Sequence, residues 1–413
     1  MNDALADAAR QACRRYGTPL YLYDLPRMRA DAASFADAFA PPWLRLYSLK
    51  ANGLPPLVRE MAGTGFGASA VSGGELALAM RAGVAPGATA LEGIGKSDGD
   101  LRRVAELLRR GQPLLWVSLE SADEARQLAR LVSRTGHRQD VLVRINPQVS
   151  PETQRGLAVG AVGSKFGVLA EELPALVEAG GGPAGPLRWR GLHVHVGSQL
   201  GAVDAWRAAF RLGLRLLELQ RATLTEFDTL DAGGGFPAAE EGVAVPEPAR
   251  FAHEAAAELE LLPAGARPAR LAIEPGRSVV AGCGWLLGRV LHVRRRERPV
   301  VVIDAGMTEL IRPALYGAHH PLRPLTVSGR AADSSTAPLN VRVDGPICEA
   351  TDTLGEASLP ELARGDLLAI GMTGAYGSAM GSTYNGRPRP PEIAWDGERL
   401  IVWRRRGSVR SLP

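Results

Sequence analysis

Apolar and polar positions keep one rhythm through the first two-thirds of the chain and another after it. In the first part, short apolar runs fall at residues 45–50, 66–72, 88–93, 114–119, 141–146, 188–196, 230–233 and 270–274. Runs of this length between turn signals read as strands. Segments with apolar residues at helical spacing separate most of them, at 74–81, 101–109, 122–133, 205–220 and 248–261. A further helix over 25–39 precedes the first run and ends at Pro41-Pro42, because proline cannot continue the helical hydrogen bonding. Eight such strand–helix units predict an α/β fold, a (β/α)8 TIM barrel, whose functional groups gather at the C-terminal ends of the strands. Lys50, His195, Gly233 and Glu274 all fall at or just past such ends. A doubly wound open sheet is the rival, but no dinucleotide fingerprint follows the first strand.

After about Arg277 the rhythm changes. Strand-like runs at 300–303, 341–343, 367–370 and 400–403 alternate with turns and leave little room for helix. Trp395-Asp396-Gly397-Glu398 is a good hairpin turn, since Asp-Gly adopts the tight turn that antiparallel strands need. Near the N-terminus, Tyr16-Gly17-Thr18-Pro19 is a turn signal, and the alternating aromatic run through Tyr21 and Tyr23 reads as one strand. The expected layout is a barrel over 25–277 and an all-β domain formed by 1–24 together with 278–413. Residues 321–337 read as a polar loop with little structure.

Composition narrows the function classes. A chain of 413 residues, 46% apolar and 22% charged, is ordinary for a globular protein with a large core. No apolar run approaches the roughly 20 residues of a membrane span. Met1-Asn2-Asp3-Ala4 opens without the basic and apolar stretches of a signal peptide, so a cytoplasmic protein is expected, with no membrane partner. Cys13, Cys283 and Cys348 are odd in number and widely spaced, which suggests neither a disulfide framework nor a zinc site. The net charge is +4. The runs Arg294-Arg295-Arg296 and Arg404-Arg405-Arg406 lack the interleaved aromatic residues of single-strand binders and read as solvated edges, with no nucleic-acid partner expected.

Within that charge, lysine is scarce. Lys50, Lys96 and Lys165 are the three lysines, and the other cationic residues are arginine. Lysine loses its proton when desolvated and attacks carbonyls, whereas arginine stays charged. Lys50 therefore reads either as a nucleophile or as a strand-end lysine paired with a carboxylate. Gly233-Gly234-Gly235 follows the seventh strand, where barrel loops commonly hold phosphate on backbone N–H groups; a bare tight turn is the alternative. Glu274, in Glu274-Pro275-Gly276-Arg277, would repel a phosphate unless a cation such as a protonated pyridine stood between them, or it is an ordinary partner of Arg277. Alternation puts His193 and His195 on one strand face. They could stack on a flat ligand near Ser198 or be hydrogen-bonded core histidines; no third group at suitable spacing supports a metal, and none is expected.

Taken in order, these pieces resemble the fold-type III pyridoxal-phosphate (PLP) decarboxylases, and within them the diaminopimelate decarboxylase branch. The resemblance runs through Tyr47–Asn52, Val71–Leu76, Gly95–Asp98, Ser164–Gly167, His193–Leu200, Gly233–Pro237, Glu274–Arg277, Asp304–Tyr316, Gly345–Glu349, Gly374–Gly377 and Tyr384–Pro390. It implies the alanine racemase/ornithine decarboxylase-like fold, pyridoxal 5'-phosphate as cofactor, and a homodimer whose active site is shared across the interface. It further implies that Lys50 carries the cofactor as a Schiff base and that His195 stacks on its ring. Ser198, Gly233, Gly234, Gly235, Gly276 and Tyr376 would hold its phosphate, and Glu274 its pyridine N–H. Cys348 of a partner subunit would return a proton, and Arg277, Arg312, Tyr316, Glu349 and Tyr376 would grip the substrate. The implied activity is decarboxylation of meso-diaminopimelate to L-lysine, a carboxy-lyase of amino-acid biosynthesis.

Three departures bear on substrate. Ser69 stands where the family usually has an acidic residue. Residues 151–163 replace a His-x-Tyr-Ile-x-Thr-Gly pattern, and Met372-Thr373-Gly374 replaces Asp-Ala-Gly. A pathway-specialised decarboxylase of another diamino acid, or of a modified or carrier-bound amino acid, is therefore an alternative. More remote are a non-catalytic PLP-binding barrel, which is typically single-domain, and a racemase-like isomerase.

Overall fold

Strands joined by helices pair in parallel, because each helix carries the chain back to the starting edge. The computed structural model describes residues 1–149, 160–161, 163–239, 243–295, 297–332 and 338–411. Among these, eight parallel strands close a barrel: Trp43–Ser48, Gly67–Ala70, Thr89–Leu91, Trp116–Leu119, Gln139–Ile145, Leu187–Val194, Thr229–Asp231 and Arg270–Ile273. The eighth pairs back on the first, Arg45 beside Ile273.

The period of two along each strand sorts the barrel into layers. Leu46, Ala90, Trp116, Leu142 and Ala272, one from each of five strands, form a buried apolar cluster. Two residues further along the same strands come Ser48, Glu92, Ser118, Arg144 and Glu274. An apolar floor is thus overlaid by a polar layer toward the C-terminal ends. The sixth strand reaches this phase through a register shift: Trp189 pairs with Val141 and Gly191 with Leu142, so Arg190 is an extra residue. Such a bulge re-aims the side chains that follow it, here His193 and His195. Gly191 is required at that point, because a Cβ there would lie 1.7 Å from the Thr229 carbonyl oxygen.

Outside the strands, helix Asp204–Gln220 buries Trp206, Ala209, Phe210, Gly213, Leu214 and Leu217, a three-and-four spacing that makes one face. Trp206 stacks on Phe210 at 5.3 Å, and Phe236 meets Phe251 edge-on at 4.9 Å and Phe35 at 5.0 Å. Each such pair adds about 0.5–1.5 kcal/mol beyond simple burial. Phe236 directly follows Gly235, so this cluster anchors the glycine loop from behind.

The chain divides into two compact units, one over residues 32–239 and 243–278 that holds the barrel, the other over 1–31 and 279–413. In the second unit the strand Leu20–Asp24 lies between Gly284–Arg294, antiparallel, and Glu392–Trp395, parallel. Val300–Ile303 and Leu367–Ile370 extend the sheet from Gly284–Arg294, and Leu339–Asp344 and Thr353–Leu359 continue it. The N-terminal helix Asp3–Tyr16 packs Leu5, Ala8, Ala9 and Ala12 into a cluster with Leu20, Leu22, Leu287 and Ile393. Asp396 closes the hairpin to Leu400–Arg404 by accepting from the Glu398 and Arg399 N–H groups.

The expected loop at 321–337 is a correction. Leu322–Pro324 is a strand on Leu367–Ile370, and Thr326–Val327 pairs with Arg330–Ala331. The cause is non-local: Asp366 accepts from Thr326 Oγ1 and from the Ser328 and Gly329 N–H groups. Residues 333–337, Arg296 of the first arginine run, and 151–159 and 162 of the departing segment lie outside the described residues. Among the described residues no helix is long and apolar enough to cross a membrane.

Candidate active site

The first strand ends at Ser48, and Lys50 follows in the 3-10 turn Leu49–Ala51, exposed to solvent. That turn is held down by the eighth strand's loop. The Ser48 N–H donates to the Pro275 carbonyl at 3.1 Å. Gly276 lies so close that a Cβ would sit 3.0 Å from the Ser48 Cβ and 3.3 Å from that of Ala51. Glu75, on the helix capped by Ser72, accepts from the Val71 N–H at 2.8 Å. Burial raises its carboxyl, while the Val71 N–H and the Lys50 ammonium pull it back.

Gly233, Gly234 and Gly235 line the same mouth. A Cβ on Gly233 would lie 2.5 Å from the Val194 carbonyl oxygen and 2.9 Å from His195 Nδ1, and one on Gly234 2.6 Å from the Glu274 carbonyl oxygen. Gly233 and Gly235 also hold left-handed φ angles of 67° and 103°, which favour glycine. The Gly234 N–H donates to His195 Nδ1 at 3.1 Å. That nitrogen therefore accepts, and the ring is neutral with its proton on Nε2. Burial, the Lys50 ammonium and the Arg144 guanidinium agree, holding His195 well below the usual imidazole range. Arg277 reaches Ser198 Oγ through Nε at 3.3 Å and Nη2 at 3.4 Å. Gln199 and Ala238 exchange two hydrogen bonds, 3.1 and 3.2 Å, that tie the Ser198 loop to the glycine loop.

Beneath the mouth lies a buried charged layer. His193 Nδ1 is 3.0 Å from Ser118 Oγ, with Glu92 Oε2 beside it at 2.8 Å, and Nε2 is 3.4 Å from Glu274 Oε2. Burial opposes a charge on His193, but the carboxylates of Glu92 and Glu274 outweigh it and push its pKa well above 6.5. Burial would raise Glu274; the His193 imidazolium beside it and polar contacts with His193 and Ser69 instead lower it to about 2. Burial and the Glu274 charge push the Asp231 carboxyl well above the usual carboxylate range, toward its neutral form. Glu274 Oε1 has no hydrogen-bond partner among the described residues although buried. An unsatisfied buried carboxylate oxygen is costly, and it fits a missing N–H.

Lys50, His195, Ser198, Gly233, Gly234, Gly235, Glu274, Gly276 and Arg277 thus lie together at the barrel mouth. The other expected residues stand in the second unit. Arg312 opens the helix Arg312–Tyr316, with its Nη1 3.0 Å from His320 Nε2. Glu349 accepts from the Tyr384 hydroxyl at 2.6 Å, and the Cys348 N–H donates to Asn385 Oδ1 at 3.3 Å. Cys348 is exposed. Tyr376 takes a left-handed φ of 56°, and Met372 one of 58°. Sequence reasoning missed Glu92, Ser118 and Asp231; their one signal was strand parity with Glu274.

Residues 25–281 match the family described as pyridoxal-dependent decarboxylase, pyridoxal binding domain. The chain is 38% identical over 412 residues to the diaminopimelate decarboxylase of Deinococcus radiodurans, covering 98% of this chain and 97% of the relative. It is 34% identical over 397 residues to that of Neisseria meningitidis, covering 95% and 93%. The crystal structure of diaminopimelate decarboxylase from Helicobacter pylori complexed with L-lysine superposes with a TM-score of 0.88 at 30% identity, covering 97% of each chain.

Proposed function

Since this chain belongs to the pyridoxal-dependent decarboxylase family, we propose that it converts meso-diaminopimelate to L-lysine and CO2. The observation that carries the chemistry is Glu274, a buried carboxylate held ionised with Oε1 unpartnered. The near full-length similarity to diaminopimelate decarboxylases supports the substrate.

The cofactor is pyridoxal 5'-phosphate, and the barrel mouth fits it. Lys50 would attach it, Glu274 Oε1 would take its pyridine N–H, and neutral His195 would lie against its ring. Gly233, Gly234, Gly235, Gly276, Ser198 and Tyr376 would hold its phosphate. When bound, it supplies an acceptor for the electron pair left as CO2 departs.

The chain's own residues do the rest. An anionic Glu274 keeps the pyridine protonated, so the acceptor stays electron-poor. A neutral His195 adds no competing positive charge beside it. Arg277 and Arg312 take the distal carboxylate, since guanidinium matches carboxylate bidentately, and Glu349 takes the distal ammonium, with Tyr316 and Tyr376 beside the substrate. The thiol of Cys348 from a second copy delivers the proton that replaces the lost carboxylate, which makes the working form a homodimer. A soluble cytoplasmic setting agrees with this biosynthetic role.

The test is CO2 release from meso-diaminopimelate, lysine, ornithine and arginine in parallel. Release from meso-diaminopimelate at least a hundredfold above the others is expected. Release from another of the four instead, or from none, rejects the reading.

A further inference from the structure

Glu92 and His193 have no part in the chemistry above, yet they are the immediate surroundings of Glu274. The three side chains stand on the third, sixth and eighth strands or just past them, and all are buried. Their ligand atoms lie within 4.8 Å of one another, close enough to surround one cation. No added cation is needed, because the His193 ring touches both carboxylates and carries the positive charge itself. Its Nδ1 is 2.8 Å from Glu92 Oε2 and its Nε2 3.4 Å from Glu274 Oε2.

We propose that Glu92 and His193 are positioning residues for the cofactor: a buried carboxylate–imidazolium–carboxylate cluster inside the barrel that keeps Glu274 an anion while leaving Oε1 to the pyridine N–H. The proposal rests on the pyridoxal-dependent reading. A lone buried carboxylate avoids desolvation by taking a proton. A lone imidazolium beside it would prevent that, but would also neutralise the charge meant for the cofactor. Glu92, beside the ring's other nitrogen, shares the imidazolium's charge with Glu274. It is fixed there by the Trp116 indole N–H, which donates to Glu92 Oε1 at 3.0 Å.

The charge count supports this division. Glu92 and Glu274 are two negative charges and His193 one positive, which leaves one negative charge to be closed by one cation. The remaining groups around His193 do not alter the count. Ser118 and Ser69 are neutral, and burial and the Glu274 charge push Asp231 on the seventh strand toward its neutral form. Arg144, its register neighbour on the fifth strand, is paired with Glu120 at 2.9 Å. His195 is neutral, and Lys50 is out at the exposed mouth.

The experiment is nitrogen-15 histidine NMR of the full-length protein stripped of cofactor, from pH 6 to 9. Of the seven histidines, one ring should still be an imidazolium at pH 9. Its signal should vanish in His193→Gln, and Glu92→Gln should move its titration down by at least one pH unit. Absorbance titration with pyridoxal 5'-phosphate should give Glu92→Gln a Kd at least tenfold higher than wild type. No charged ring at pH 9 in the wild type overturns the proposal even if neither variant folds. So does a Glu92→Gln protein whose titration and Kd stay within twofold. CO2 release plays no part in these readouts, so failure of the substrate panel and failure of this inference are separate results.

Discussion

Arg144 and Glu120 offer a quantitative test of how the barrel mouth is built. Their side chains are 8% and 1% exposed, and Arg144 Nη1 lies 2.9 Å from Glu120 Oε1. Glu120 Oε2 also accepts from the Gly167 N–H, and the guanidinium lies over the Phe166 ring at 4.8 Å. Unit charges at this distance attract by about 6 kcal/mol at an effective dielectric near 20, and desolvation offsets much of that. Removing one partner strands the other as an uncompensated buried charge, so Glu120→Gln and Arg144→Met should each destabilise by about 3–5 kcal/mol. The double variant strands no charge. It loses the cation–π contact and some packing, and should cost about 1–2 kcal/mol. A urea-unfolding cycle on all four proteins should therefore give a coupling of at least about 4 kcal/mol. A double variant that loses the sum of the singles refutes the argument. The same cycle has a functional arm. Arg144 is one of the charges that lower His195. Without it the His195 pKa rises, the ring charges at a higher pH, and the acid limb of the activity profile moves toward neutrality.

Three further outcomes are expected. Lys50→Ala should abolish both the visible absorbance of bound cofactor and CO2 release; full turnover would remove Lys50 from its role. Cys348→Ala should slow turnover while the cofactor stays bound at an unchanged Kd, which absorbance and CO2 assays separate. Gly234→Ala forces a Cβ to within 2.6 Å of a backbone oxygen, so it should raise the cofactor Kd at least tenfold, measured by absorbance titration.

The barrel was legible because its strands are short apolar runs, each followed by a helix of the right period. Boundaries were less so: the first strand was expected over 45–50 but is Trp43–Ser48, and Lys50 sits in a turn beyond it. Motif-bearing residues at the mouth were found because glycine triplets, a spared lysine and strand-end histidines leave local marks. Glu92 and Asp231 leave none. Each is one acidic residue at the end of a three-residue strand or just past it, and its meaning comes from partners on other strands. The extra residue Arg190 is silent in the sequence as well, since nothing local distinguishes a bulge from continued alternation. The hairpin after Leu325 failed to show for a related reason: its organiser, Asp366, lies some 40 residues later.

The strand Leu20–Asp24 has both of its sheet neighbours far downstream in the chain. From Asp24 to Gly284 is 284 − 24 = 260 residues. At roughly 5–20 residues per second of synthesis, the ribosome takes about 15 to 50 s to make that stretch. Throughout it, Leu20-Tyr21-Leu22-Tyr23 is a nascent apolar segment with neither ladder to join. The barrel is complete in sequence by then, so the order of manufacture is barrel first, with the opening strand kept waiting for the last third of the chain. Trimming the first two dozen residues would accordingly remove a central stave of the sheet rather than a loose end.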